Sequence, residues 1–392
     1  MSKWKKVKLG DVAVVSSGNS APQGDEFFIN GIFPFCRTSD VGAVHLSTDL
    51  TEIKDKLNDT GIKGLTLFPK GTILIPKSGA STFLNHRAIL GLDSYVSSHL
   101  ATIQTNEKVL FNLWAYYFLV TLDAKMLSPD TNYPTLKLST ISNIEIPLPA
   151  MEEQKKIAAR LDAVSDLLAK QKHLLAEQDT LIQSLFYDMF GDPIKNDKGW
   201  KIEKLGNIAE LVDGDRGKNY PKDSDFSNDG YCLFLNTGNI KDLKFDFSNC
   251  QFISKEKDNI LRKGKLKRND IVFTTRGTIG KIVFYDTSVS YEHIRINSGM
   301  VIIRNLMGIS SIFFLHYFSN PLVYRNLLSG TAQPQIPIGN LQKAKIIIPP
   351  LELQEKFAAI VEQIETEKSK IKSAITETQT LFNALMAEYF EE

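Results

Sequence analysis

IEIPLPAMEEQKKIAARLD, residues Ile144–Asp162, and AKIIIPPLELQEKFAAIVE, residues Ala344–Glu362, are one segment written twice. Pro149 falls on Pro349 and Gln154 on Gln354. In each copy a β-type run leads through a proline stop into a long amphipathic pattern. The correspondence continues outward from this pair. WKKVKLGDVAVVSSG (Trp4–Gly18) matches WKIEKLGNIAELVDG (Trp200–Gly214), FCRTSDV (Phe35–Val41) matches FLNTGNI (Phe234–Ile240), and FPKGTILIPKSG (Phe68–Gly79) matches LKRNDIVFTTRG (Leu266–Gly277). The offset stays near 200 residues throughout. Solenoids repeat every 20–50 residues or so, whereas this spacing is duplication of a whole domain.

After each proline stop the apolar positions alternate by four and three. The first series is Ile157, Leu161, Val164, Leu168, Gln171, Leu175, Gln178, Ile182, Leu185 and Met189. The second is Phe357, Val361, Ile364, Lys368, Ile371, Ile375, Thr378, Phe382, Leu385 and Tyr389. This is an a/d seam sustained over several heptads, the pattern of a coiled coil. An isolated apolar stripe leaves its burial energy unused, so the two helices are expected to cover each other. Each leaves its own domain, which makes an antiparallel pair the simplest arrangement. Gln171, Gln178, Lys368 and Thr378 interrupt the seam and are expected to fix its register. Gly191 is placed to cap the first helix, with Pro193 beyond it. A helix from Glu152 to Phe190 spans about 55–60 Å at about 1.5 Å per residue.

Upstream of each helix, short β-type runs dominate: Val12–Val15, Thr72–Ile75, Leu100–Ile103, Ile271–Phe273 and Met300–Ile303. Gly, Asn and Pro punctuate them, as in a strand-rich mixed domain. Short helices are expected at Phe111–Thr121 and Ile312–Tyr317. The fold class is therefore α+β: two mixed domains, related by an internal pseudo-two-fold repeat, and two long helices forming an antiparallel coiled coil. Residues 19–34, 45–65 and 82–95 have no counterpart in the other copy. One scaffold reading two different targets would need such a division; drift of surface loops after duplication would produce it too.

At 392 residues, 43% apolar and 23% charged, the chain suits two globular domains with connecting elements. Its three cysteines, Cys36, Cys232 and Cys250, are scattered, which fits a reducing cytoplasm and neither a disulfide framework nor a zinc cluster. The basic N-terminus lacks the apolar run of a signal peptide, and Leu110–Val120 is too short to span a membrane. The formal charge of +1 hides a polarised chain. Lys255–Lys281 carries nine basic and three acidic residues, while the segment from Glu352 onward is net acidic. Such a run is most often a solvated face.

Catalytic signatures are missing. GTIGK (Gly277–Lys281) is not a P-loop, having no earlier glycine at the required spacing and Ile282 in place of Ser or Thr. No GxGxxG follows a strand, no HExxH occurs, and no histidine pair stands at ligand spacing. An Asp270/Lys281 combination is nuclease-like only in composition. No NPPY-type motif for base methylation is present.

The duplicated PLPAMEEQKKIAARLD and IPPLELQEKFAAIVE blocks, the Phe190–Gly191–Asp192–Pro193 junction leading to Trp200, and the paired W-x4-LG openings resemble the specificity subunit of type I restriction–modification systems. The resemblance covers nearly the whole chain; one departure is Leu353 where the first copy has Glu153. It implies target recognition domains at 1–150 and 192–350, with spacer helices at 151–191 and 351–392. It also implies a bipartite double-stranded DNA target, two methyltransferase subunits and a restriction subunit as partners, and no catalysis by this chain. S-adenosylmethionine, ATP and magnesium would belong to those partners.

Base reading needs Arg, Lys, Asn, Gln, Ser or Thr on loops that enter a groove. In the second copy the candidates are Arg276, Thr278 and Lys281 around the Gly277/Gly280 turn, and Arg216, Lys218, Asn219 and Tyr220 in a polar loop. Asn236, Thr237 and Asn239 follow a strand, and Gln333 and Gln335 precede the helix. In the first copy they are Arg37, Thr38, Lys77, Ser78, Asn132 and Tyr133, with His86 and Arg87 from an unmatched loop. Each taken alone is equally an ordinary exposed polar residue. Two other readings stay open: an adaptor that joins two proteins without reading DNA, and a fragment of a fused restriction–methyltransferase enzyme. An end at Glu392, just after the seam, weighs against the latter.

Overall fold

The computed structural model describes residues 4–44, 48–127 and 135–390. The chain divides into two compact units, one of Met1–Leu174 with Ile371–Glu392, the other of Leu175–Lys370. Each contains one strand-rich domain and a part of each long helix.

In the first unit the main sheet runs Ala13–Ser17, Leu100–Thr105, Ile73–Pro76, Ala88–Ile89, every neighbour antiparallel. In the second it runs Glu210–Asp213, Met300–Arg304, Ile271–Thr274, Ile282–Phe284, again antiparallel. Even the register repeats: Ile73 faces Ile103, and Ile271 faces Ile303. A second sheet in each unit holds one parallel pair, Phe33–Cys36 with Ser94–Val96 and Cys232–Leu235 with Ile294–Ile296. A two-stranded ladder ties each domain's opening to the segment entering its long helix, Lys6–Lys8 on Glu145–Pro147 and Lys201–Lys204 on Lys345–Ile348.

The central strands ILIP (Ile73–Pro76) and IVFT (Ile271–Thr274) are apolar without alternation because both faces are covered. Ile73 and Ile75 face a core holding Trp114 and Tyr117 from helix Asn112–Thr121, while Leu74 faces a separate core with Cys36, Val41 and Val96. In the second unit Ile271 and Phe273 meet Phe313 and Phe318 of helix Ser311–Phe318, and Val272 meets Leu233 and Ile294. The middle layer is thus a sheet between helix and second sheet, twice over.

The long helices are Met151–Phe190 and Leu351–Phe390, 40 residues each. Within the first unit Ile157 and Leu161 share a core with Phe382, Met386 and Tyr389. Within the second, Ile182, Phe186 and Phe190 share one with Phe357, Val361 and Ile364. The start of each helix therefore packs on the end of the other, and the pair is antiparallel. Gly191 closes the first helix at φ 76°, its N–H bonded to the Tyr187 carbonyl at 2.8 Å. Among the named seam positions Ile157, Leu161, Leu168, Ile182, Phe357, Val361, Ile364 and Phe382 are buried; Val164, Leu175, Leu185, Ile371, Ile375 and Leu385 are half-buried. Buried Ala158, Phe186, Phe190 and Met386 stand outside the heptad series. Near their ends the helices pack on a domain as well as on each other, which widens the apolar stripe beyond a and d. Lys368, 12% exposed in the seam, donates to Asp179 Oδ1 at 2.6 Å and Glu365 Oε1 at 2.5 Å.

The matched glutamines are the joints between helix and domain. Gln154 is fully buried; its Oε1 accepts the Phe111 N–H at 2.8 Å, and its Nε2 donates to the Val109 and Pro149 carbonyls. Gln354 repeats the arrangement on the Ser310 N–H and the Gly308 and Pro349 carbonyls. Removing such an amide leaves buried backbone groups unsatisfied, so Gln354→Ala is expected to cost about 2–3 kcal/mol. A urea-unfolding midpoint unmoved by the substitution would refute this. Among the described residues no helix is long and apolar enough to cross a membrane.

Candidate nucleic-acid interface

In the second unit the strand Ile271–Thr274 runs into a tight loop. Thr274 Oγ1 donates to the Thr278 carbonyl at 2.6 Å, and the Gly280 and Lys281 N–H groups return to Thr274. Gly277 and Gly280 both have positive φ, 72° and 93°, and a Cβ on Gly280 would stand 1.8 Å from the Tyr324 hydroxyl. The loop presents Arg276, whose Nε and Nη2 donate to Gln335 Oε1 at 3.1 and 2.7 Å. Arg216 approaches the same place, its Nη2 donating to Asp213 Oδ1 and the Ser298 carbonyl, both at 3.2 Å. Asp213, Arg216, Arg276, Gln335 and Pro337 line a cleft of about 260 Å³. Three residues singled out in sequence, from three separate segments, therefore converge.

Two further residues complete this place: Asp215, which carried no sequence signal, and Arg262, which lay unremarked within the basic run Lys255–Lys281. Asp215, 6% exposed, accepts the N–H groups of Arg262 at 2.6 Å and Arg216 at 2.7 Å. Burial by itself would raise its carboxyl; those N–H bonds and the Arg262 guanidinium outweigh it and hold the carboxyl below the usual range. Arg262, 74% exposed, also donates to the Arg216 carbonyl. Sequence contact across 47 residues is what makes them neighbours.

The other second-unit candidates divide. Lys218, Thr278 and Gln333 are exposed, and Asn219 is half-buried. Tyr220 is half-buried, with its ring edge-on to Phe234 and its hydroxyl accepting the Ser298 N–H at 3.4 Å. Lys281 donates to the Thr237 carbonyl at 2.6 Å, tying the loop to the turn at Asn236 and Thr237. Asn239 leaves the candidate set: it is 2% exposed, its Oδ1 caps the Asn236 N–H and its Nδ2 holds the Asp246 and Asn249 carbonyls. The matched Asp40 caps the Arg37 N–H in the same way. The nuclease-like combination does not form either. Asp270 is buried against Arg304, at 2.8 and 2.7 Å, away from any contact with Lys281.

In the first unit Lys77 and Ser78 are half-buried beside His99, with Ser78 Oγ 2.7 Å from His99 Nδ1. Arg37 pairs with Asp55 and lies over the rings of Phe28 and Phe35, lining a cleft of about 570 Å³ with Asn30, Lys54 and Lys56. Thr38 opens the short helix Thr38–Ala43, and His86 is half-buried beside Gly42. Arg87 also leaves the set. It is 1% exposed and donates to the His86 carbonyl at 2.8 Å; burial lowers its guanidinium to about 10. A side chain so enclosed cannot reach a groove without unpacking the domain. Asn132 and Tyr133 lie outside the described residues.

No group of three or more His, Cys, Asp or Glu side chains among the described residues could hold a metal ion. Cys36, Cys232 and Cys250 are free thiols, and burial pushes Cys232 up to about 12. The arrangement suits binding: exposed guanidinium groups and a half-buried amide, braced by buried Asp215 and half-buried Asp213, around an open cleft.

The MjaIX specificity subunit of Methanocaldococcus jannaschii is 25% identical over 397 residues, covering 92% of this chain and 86% of the relative. The EcoprrI specificity subunit of Escherichia coli is 22% identical, covering 91% and 87%. The crystal structure of the type I restriction–modification S subunit from M. genitalium matches with a TM-score of 0.61 at 14% identity, covering 100% of this chain and 96% of that one. A second structure, from work on assembly and conformational transition of the type I system, matches with a TM-score of 0.57 at 19% identity, covering 99% and 97%. Both share the fold. The family model for the type I restriction modification DNA specificity domain matches twice, at residues 1–178 and 197–378, once for each copy of the duplicated domain. The chain belongs to the family of type I restriction–modification DNA specificity proteins.

Proposed function

We propose that the chain reads a bipartite DNA target, one half-site per domain, and holds two methyltransferase subunits and a restriction subunit on it. The observation that carries this reading is the same domain built twice onto one antiparallel pair of 40-residue helices. A stiff rod of about 60 Å suits half-sites roughly one to one and a half DNA turns apart, at about 34–36 Å per turn. A flexible linker could not hold that distance. The chain contributes sequence reading and spacing and no catalysis; methyl transfer and ATP-driven steps, with S-adenosylmethionine, ATP and magnesium, reside on the partners in the cytoplasm. Arg216, Arg262, Arg276 and Gln335 form the centre of the second reading surface, with Lys77 and Ser78 in the corresponding place of the first.

Long-read sequencing of the source genome, with and without this gene, tests the reading. One methylated motif of two short parts around a fixed gap should vanish on deletion. An unchanged set of methylated motifs, or loss of a motif with no gap, would refute it.

A further inference from the structure

The two domains carry different side chains on one backbone framework at the candidate interface. In the first, Lys77 N–H bonds the His99 carbonyl at 2.9 Å, Leu136 N–H bonds the Lys77 carbonyl at 2.8 Å, and Ser78 bridges Thr135. In the second, Thr275 N–H bonds the Gly299 carbonyl at 2.8 Å, Ile336 N–H bonds the Thr275 carbonyl at 2.9 Å, and Arg276 bridges Gln335. Three equivalent positions thus read Ser78, His99, Thr135 in one domain and Arg276, Gly299, Gln335 in the other. The exchange is concerted. Ser78 Oγ meets His99 Nδ1 at 2.7 Å, whereas Arg276, with glycine at 299, bonds Gln335 Oε1 instead, at 3.1 and 2.7 Å.

Gln335 also decides which edge of the guanidinium remains for a ligand. Its Oε1 takes the side edge, Nε–H and one Nη2–H. The end edge, one N–H on each of Nη1 and Nη2, has no acceptor among the described residues and belongs to a residue exposed beside the cleft. Two parallel donors at that spacing match the O6 and N7 acceptors of guanine in the major groove.

We infer that these three positions set the base preference of each domain, and that Arg276, steadied by Gln335, selects a guanine in the second domain's half-site. This rests on the proposed DNA-reading function and goes further by naming the base, the reading atoms and the exchangeable set.

The test uses the full chain, tagged and purified from its own host with the subunits that accompany it, binding a pool of randomised duplexes at one fixed salt concentration. The wild-type pool should be enriched in a guanine at a given place in one half-site. Arg276→Lys keeps the cation and loses the fork, and Arg276→Gln loses both. Each should cut the preference for that guanine roughly 10- to 100-fold and leave the other half-site unchanged. Gln335→Ala should weaken preference at the same place by less. Ser78→Arg with His99→Gly and Thr135→Gln should shift the other half-site toward guanine. Undiminished guanine preference in the Arg276 variants would overturn the inference. So would an equal loss on every sequence, which marks a phosphate contact. A triple variant that binds with its old preference would overturn the equivalence of the positions. A wild-type pool with no enrichment at all would instead sink the functional reading itself.

Discussion

On the proposed bipartite reading, excising residues 168–174 together with 373–379 is expected to bring the two methylated positions about one to three base pairs closer, with both half-site sequences unaltered. In the first unit Arg160 donates to the Tyr389 hydroxyl at 3.2 Å, and Leu161 packs with Met386, so the two excised segments lie across from each other. Each is one heptad, and its removal keeps every remaining a and d position in phase. Seven residues remove about 10 Å of helix. At about 3.4 Å per base step that is near three base pairs for a rod along the duplex, and fewer for an oblique one. Excising either segment alone leaves unequal rods between the glutamine joints at Gln154 and Gln354. Loss of methylation altogether is expected there. Long-read sequencing of strains carrying the shortened genes reads both outcomes, and an unaltered gap in the doubly shortened protein would defeat the spacing argument.

Replacing Asp258 with alanine is expected to destabilise the second unit by about 3–5 kcal/mol. Asp258 is 1% exposed and joins Arg295, itself 5% exposed, to Lys265. Arg295 holds three carbonyls as well, those of Asp258, Leu261 and Lys263. Without the carboxylate its charge stays buried and uncompensated. Asp258→Asn should cost less, since it keeps the shape. Thermal unfolding checks both, and a transition unmoved by the alanine would rule the account out. A pH dependence follows. Burial pushes the Asp258 carboxyl up, but the bonds from Lys265 and Arg295 win and hold it below its ordinary 3.8. A carboxyl depressed in the folded state contributes stability above its unfolded value, and that contribution is lost as pH falls toward the folded value. His316 acts earlier. Burial, with its ring edge-on to Phe357, lowers its imidazole from 6.5 to about 4. The unfolded chain therefore takes up that proton first, and stability declines as pH falls from about 6.5 toward 4. His316→Leu should flatten the upper part of the acid profile and Asp258→Asn the lower.

The sequence by itself determined the duplication, the principal strands of the main sheets and the heptad register of the two helices. The duplication shows in self-comparison at an offset near 200 residues, and the heptad register shows in the local period. The strands ILIP and IVFT were legible as short apolar runs between turn residues. Tertiary structure decided which polar groups face outward. Arg87 and Asn239 look like readers in a polar loop, yet one is enclosed by its domain and the other caps a turn. The basic run Lys255–Lys281 looks like one continuous charged surface. Folding buries Asp258 and Asp270 within it; Lys265 is drawn into the core ion pair at Asp258, Lys257 reaches Asp225, and Arg268 covers Tyr285. Lys255, Lys263 and Lys267 stay exposed with Arg262 and Arg276, and of these Arg262 and Arg276 stand where Arg216 joins them from another segment. Whether a charge is consumed or presented depends on partners far away in sequence, and only the packed chain brings those partners within reach.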